Sequence, residues 1–218
     1  MDERTEEGRK EGRSEPIRLL RKDLRAAAKL MSAAEARYLV DLYYQIQEFR
    51  KATANQIRSV EKTGEPMLAI DWTFATMELT ESTIKRALDE YTDAEPSGMG
   101  AWIKKIIGIG PVIAAGLLAH IDVKKCNTVG GVWRFAGLDP TSVWSKGQKR
   151  PWNAALKVIC WKAGESFVKL CNRDDCFYGK KYLERKAMEW EKNLAGACSQ
   201  QARDALAAKA IGKTTVAY

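Results

Sequence analysis

Apolar residues recur at alternating steps of three and four through two long stretches of this chain. The first stretch carries Ala36, Leu39, Tyr43 and Ile46, then Ile57 and Val60; the second carries Ile70, Phe74 and Met77, then Ile84, Leu88 and Tyr91. That spacing keeps one narrow apolar stripe along each helix, as in a coiled-coil seam. Helices packed on a globular core would need a wider stripe. The pattern therefore predicts a long antiparallel coiled-coil hairpin. Ser32, followed three residues later by Glu35, has the form of a capping box, and the helix it opens is predicted to run to about Thr63. Gly64-Glu65-Pro66 breaks it, because proline cannot continue a helix and turns the residue before it away from helical angles. The second helix is predicted from Leu68 to Tyr91, and Glu95-Pro96-Ser97-Gly98 closes this part.

Folding the two stretches back on each other fixes a register. Val60 then faces Ile70, Ile57 faces Phe74, Thr53 faces Met77, Ile46 faces Ile84, Tyr43 faces Leu88 and Leu39 faces Tyr91. One charged residue interrupts each apolar series, and these two, Arg50 and Glu81, fall opposite each other. They are predicted to form a salt bridge inside the seam and to set its register, as polar pairs do in coiled coils.

The remaining elements are also helical. Residues 1–15 are almost all charged or small and read as a disordered tail. A short basic helix is expected after Pro16, with Ile17, Leu19, Leu20 and Leu24 on it. Beyond Ser97, helices are expected over 98–107, 111–121 and 128–136. A loop over 137–150 follows, then helices over 152–172, 179–195 and 199–210. No strand-type alternation, internal repeat or low-complexity tract is present. The fold class is all-α: a coiled-coil hairpin followed by a compact helical domain. The expected organisation is a tail (1–15), a coiled-coil region (16–96), a compact helical domain (97–175) and C-terminal helices (176–218).

The compact part opens on Ile106-Ile107-Gly108-Ile109-Gly110-Pro111, which runs into Val112-Ile113-Ala114-Ala115-Gly116. Gly108 and Gly110 permit a tight reversal, since glycine has no Cβ to forbid positive φ. Pro111 suits the first turn of a helix, where its missing N–H costs nothing. The stretch reads as a helix-hairpin-helix. Such a turn aims backbone N–H groups and a helix N-terminus at solvent, which suits an anion such as a nucleic-acid phosphate. Lys104 and Lys105 stand just before it. A plain glycine turn between two packed helices fits the same residues.

Charge sharpens the choice. The chain has a formal charge of +8. Residues 101–190 hold sixteen Lys/Arg against seven Asp/Glu, while the other 128 residues hold twenty against twenty-one. The positive excess is thus confined to the segment with the turn, which points to a polyanionic partner. Five cysteines, at positions 126, 160, 171, 176 and 198, form no zinc-ligand pattern, and His120 is the one histidine. No metal site and no cofactor are expected. Cysteines in this number and spacing, without a signal peptide, fit the reducing cytoplasm. No apolar run approaches the ~20 residues of a membrane span, so no membrane association is expected.

A second basic stretch follows. Gly130-Gly131-Val132-Trp133-Arg134-Phe135-Ala136-Gly137-Leu138-Asp139-Pro140 leads into Thr141-Ser142-Val143-Trp144-Ser145-Lys146-Gly147-Gln148-Lys149-Arg150-Pro151-Trp152-Asn153. Lys146, Lys149 and Arg150 cluster beside Trp144 and Trp152, and Lys157 follows on the next helix. Basic groups hold phosphates, and indole rings stack on bases or bury as anchors. Both roles are open to Trp144 and Trp152, whereas Trp133, Phe135 and Trp161 read as core.

The order of these motifs resembles one known domain. The turn GIGPVIAAGLLAHI, the following WRFAGLDP, the loop around Ser145 and the helix after it are similar to the C-terminal domain of the DEDD-type insertion-sequence transposases, a group that includes the Piv-like DNA invertases. The resemblance covers about residues 98–172, and the two long helices resemble the coiled coil preceding that domain. GIGP alone is shared with helix-hairpin-helix proteins of repair and replication; GIGP followed by AGLDP is more specific. The resemblance implies DNA as the partner, and in several members a structured guide RNA. It also implies a serine nucleophile on this domain, at the position of Ser145. In the family a separate ribonuclease-H-like domain supplies acidic metal ligands. The helical residues 1–97 leave no place for such a site, so that domain is expected to be absent. The family favours Ser-Gly, whereas here the order is Ser145-Lys146-Gly147.

Taken together, the sequence predicts a transposase-related DNA-binding protein active in transposition or recombination and oligomeric through its coiled coil. The candidate DNA-binding residues are Lys104, Lys105, Gly108, Gly110, Trp144, Lys146, Lys149, Arg150 and Lys157. The alternatives are a recombinase using Ser145 with a separate acidic-domain partner, and a non-catalytic module for structured RNA.

Overall fold

The computed structural model describes residues 18–62, 64, 68–123, 125–126 and 128–210. The expected tail over 1–15, the start of the first helix at Pro16, and Glu65-Pro66 in the break lie outside the described residues. Everything described is helical or irregular, with no strand. In chain order the helices are α1 (Arg18–Lys29), α2 (Ala33–Val60), α3 (Leu68–Asp93), α4 (Met99–Lys104), α5 (Pro111–His120), α6 (Val129–Phe135), α7 (Ala154–Lys169), α8 (Phe177–Leu194) and α9 (Ser199–Ala210). None of them is long and apolar enough to cross a membrane.

The capping box forms as read. The Ser32 hydroxyl accepts the Glu35 N–H at 3.2 Å, and the Ser32 N–H donates to the Glu35 carboxylate at 2.7 Å. Two otherwise orphaned donors are satisfied, and α2 then runs unbroken for 28 residues, about 42 Å. It packs against α3. Arg50 meets Glu81 and Thr53 meets Met77, so one helix descends as the other climbs.

The core gathers at one end of this pair. Val40 of α2, Ile84 and Leu88 of α3, Val112 and Ala115 of α5, and Ile159 of α7 form one buried cluster. Towards the turn at Gly64, the seam residues Thr53, Ile57, Ile70, Phe74 and Met77 are only half-buried. Two helices alone cannot close off a seam, because each residue in it keeps one flank in water. Helix α5 covers the other end, packing on both α2 and α3.

Two close approaches depend on glycine. A Cβ on Gly100 would stand 2.0 Å from the Thr92 carbonyl oxygen, so α4 can cross the end of α3 only without a side chain there. A Cβ on Gly116 would stand 3.1 to 3.2 Å from the Ile159 side chain, which is how α7 nests on α5.

The chain divides into two compact units at Ala163 and Gly164. The first therefore holds both the long helix pair and the glycine turn, with no break in packing near residue 97. In the second, α8 begins on the end of α7: the Phe167 and Tyr178 rings stack at 4.8 Å. None of the five cysteines forms a disulfide.

Candidate nucleic-acid interface

The glycine turn is built as the sequence suggested, with one division of labour. Gly108 has φ +101°, and the Ile109 N–H closes the turn on the Ile106 carbonyl at 2.9 Å. Gly110 instead sits in extended backbone, φ −89° and ψ 176°, as the residue before α5, with Pro111 in the first helical turn. Only Gly108 uses the freedom of glycine. Gly110 is exposed, whereas Ile109 before it and Val112 after it are buried in the core.

The two lysines before it part company. Lys105 is exposed. Lys104 is not available to a partner: its ammonium pairs with Asp89 at 2.5 Å and Asp93 at 2.7 Å, and only 18% of its side chain is exposed. Burial works against its charge, but the two carboxylates outweigh it and hold the pKa above the usual lysine value. Lys104 ties α4 to α3 and leaves the set of candidate phosphate ligands.

The basic loop is organised from within. Gly147, at φ +94°, sits in a turn closed by the Gln148 N–H on the Ser145 carbonyl at 3.1 Å. The Trp144 indole N–H donates to the Gln148 carbonyl at 2.7 Å, and the Arg150 guanidinium lies 5.2 Å from the centre of the Trp144 ring. Trp144 thus pins the loop rather than offering both faces to a base. Trp152 lies against the backbone at Gly137, where a Cβ would stand 2.7 Å from the indole, and Lys157 rests on its ring at 4.7 Å. Asp139 shapes the entry, accepting from the Thr141 N–H and hydroxyl and pairing with Arg134 at 3.2 Å. The Thr141 bonds come first in holding its carboxyl below the usual range.

Asn153 joins the loop to α5, a link that no local pattern of residues announces. Its Oδ1 accepts the Leu156 N–H at 3.0 Å, which caps α7, and its backbone N–H donates to the Phe135 carbonyl at 2.8 Å. With Oδ1 committed, its Nδ2 is the group facing His120 Nδ1 at 3.1 Å. His120 therefore accepts there and carries its proton on Nε2. Burial, then the charge of Arg37, push the His120 pKa down against the pull of Asp41.

Lys105, Lys146, Lys149, Arg150 and Lys157 are all exposed, and none has an acidic partner among the described residues. Ser145 is exposed on the same loop, and no described side chain bonds its hydroxyl. The sole histidine is engaged with Asn153 and is not a base for that serine. Among the described residues no three His, Cys, Asp or Glu side chains are grouped to hold a metal ion. Three residues read as core are not: Trp133 is 56%, Phe135 38% and Trp161 63% exposed. They are apolar residues on short or single-sided helices, where only one face has a neighbour.

The register pair forms. Arg50 Nε donates to Glu81 at 2.5 Å, with Gln47 adding a bond at 3.2 Å. Burial raises the Glu81 pKa, but these bonds, Arg50 first, outweigh it and hold the carboxyl low. The pair is shielded rather than buried, with Arg50 25% and Glu81 12% exposed.

No family model, curated protein or solved structure matches this chain.

Proposed function

We propose that the chain binds duplex DNA through its phosphates and is related, over residues 98–172, to the C-terminal domain of insertion-sequence transposases. In this reading residues 98–121 act as a helix-hairpin-helix, and α2 with α3 is the coiled coil that precedes it. The ligands are Lys105, Lys146, Lys149, Arg150 and Lys157, with the exposed backbone at Gly110. The carrying observation is a basic loop with no acidic partner among the described residues, pinned by Trp144, Trp152 and Asn153. Cations without acidic partners can neutralise phosphates, and the release of the counterions held by those phosphates favours binding.

Ser145 serves here as a loop residue near phosphate. A nucleophilic serine needs a base, a metal or an oxyanion site, and nothing described beside it supplies one. Oligomerisation through the long helix pair would use the half-buried flank towards Gly64, because the end under α5 is already filled within the chain.

The test is an electrophoretic shift at low salt with duplex DNA, repeated with a structured RNA as competitor. The reading expects duplex binding that survives Ser145→Ala. Failure to shift any duplex sinks it, and a structured RNA that displaces duplex at far lower concentration favours the RNA-binding alternative.

A further inference from the structure

Helix α8 carries an apolar stripe that no described helix covers. Leu183, Ala187, Trp190 and Leu194 follow one another at steps of four, three and four, the spacing of core positions in a heptad. Leu183 is 40%, Trp190 65% and Leu194 75% exposed, and no other described helix packs along α8. An exposed stripe is not by itself informative about its partner; the charges beside it are.

Most of the charged side chains on α8 are matched within the chain. Lys180 pairs with Asp174, Lys181 with Glu184, and Glu189 with both Arg185 and Lys192. Two are left without an ion pair among the described residues, Lys186 and Glu191. Lys186 lies only within loose reach of the Tyr182 ring, at 6.0 Å. These two residues flank the stripe. Taking Leu183 and Trp190 as d positions, Lys186 is the g residue and Glu191 the e residue of the next heptad. Five residues apart, they stand about 140° apart around the helix and cannot meet on it. In a parallel pair, g of one helix faces the following e of the other.

We propose that α8 is the surface through which two copies of this chain associate, as a short parallel coiled coil. Leu183, Ala187, Trp190 and Leu194 form its seam. Lys186 of each copy pairs with Glu191 of the other, so the two-fold symmetry makes both bridges at once. A second copy is the occupant whose charges the helix itself specifies. An antiparallel pair would set g against g and e against e, placing like charges together. The proposal stands apart from the DNA-binding reading and survives its failure.

Sedimentation equilibrium of the full chain across the micromolar range tests it. The expected result is a reversible monomer–dimer equilibrium that Trp190→Glu or Leu194→Glu shifts to monomer. Because these side chains are exposed in the monomer, the fold is expected to persist, with helicity by circular dichroism as the check. Lys186→Glu alone and Glu191→Lys alone should each weaken the dimer about tenfold, and the two together should restore it. Three results overturn the proposal: a monomer throughout the range, a dimer indifferent to Trp190→Glu and Leu194→Glu, or a double charge swap no tighter than the single ones.

Discussion

Removing the Glu81 carboxylate strands more than one donor. Glu81 accepts from Arg50 Nε at 2.5 Å, from Arg50 Nη2 at 3.4 Å and from Gln47 at 3.2 Å. Glu81→Leu leaves Arg50 without its bonded carboxylate, between the ring of Phe74 at 5.9 Å and a leucine. A fully buried pair broken in this way costs about 3 to 5 kcal/mol. Arg50, a quarter exposed, can turn its guanidinium partly to water. The cost therefore falls to about 2 kcal/mol, near that of one charged hydrogen bond. Replacing both residues with leucine removes the stranded charge and completes the apolar seam. The double variant is expected to be as stable as the parent or more so. The assay is urea unfolding at neutral pH followed by circular dichroism, closed as a double-mutant cycle with Arg50→Leu. If Glu81→Leu costs under about 0.5 kcal/mol, or if the two single costs simply add in the double variant, the charges do not couple and the register argument is wrong.

Other outcomes follow from particular contacts. Gly100→Ala must move backbone, since its Cβ would lie 2.0 Å from the Thr92 carbonyl; a loss of about 2 kcal/mol or more is expected by thermal or urea unfolding. Gly110→Ala meets nothing within 4 Å at an ordinary φ, and a loss above about 1 kcal/mol would contradict the assignment of Gly108 as the residue that needs to be glycine. The lowered pKa of His120 means the unfolded chain takes up its proton first. Stability is unaffected by this group above the ordinary histidine pKa and falls as pH drops from about 6.5 towards the folded value. Urea midpoints against pH should show that fall, and His120→Gln should flatten it above the carboxylate range; an unchanged profile would show that the histidine is not linked to folding.

Much of the frame was legible because it rests on local rules. The Ser32–Glu35 cap is a three-residue relation, and the turn at Gly108 needs only a residue tolerant of positive φ. The Arg50–Glu81 pair could be read because an antiparallel hairpin ties every position to a mirror position. What escaped depends on chain returning from afar. Lys104 looked like a phosphate ligand until α4 folded back on α3 and set it between Asp89 and Asp93. The His120–Asn153 link joins residues 33 apart in the chain. Trp133, Phe135 and Trp161 were misplaced because side-chain identity does not say which face of a helix meets a neighbour. The unmatched Lys186 and Glu191 emerge only once the pairing of the other charges on α8 is known.

Under the proposed function the loop cations, and not the tethered Lys104, hold nucleic-acid phosphate. The most direct measurement is the salt dependence of duplex DNA binding for the parent chain and for Lys149→Ala, Arg150→Ala and Lys104→Ala. Each phosphate neutralised contributes about −0.9 to the log–log slope. Lys149→Ala and Arg150→Ala are each predicted to flatten that slope by about one unit without changing sequence preference, while Lys104→Ala leaves it unchanged and lowers stability instead. A slope unaffected by the loop substitutions, or one flattened by Lys104→Ala, would contradict the account.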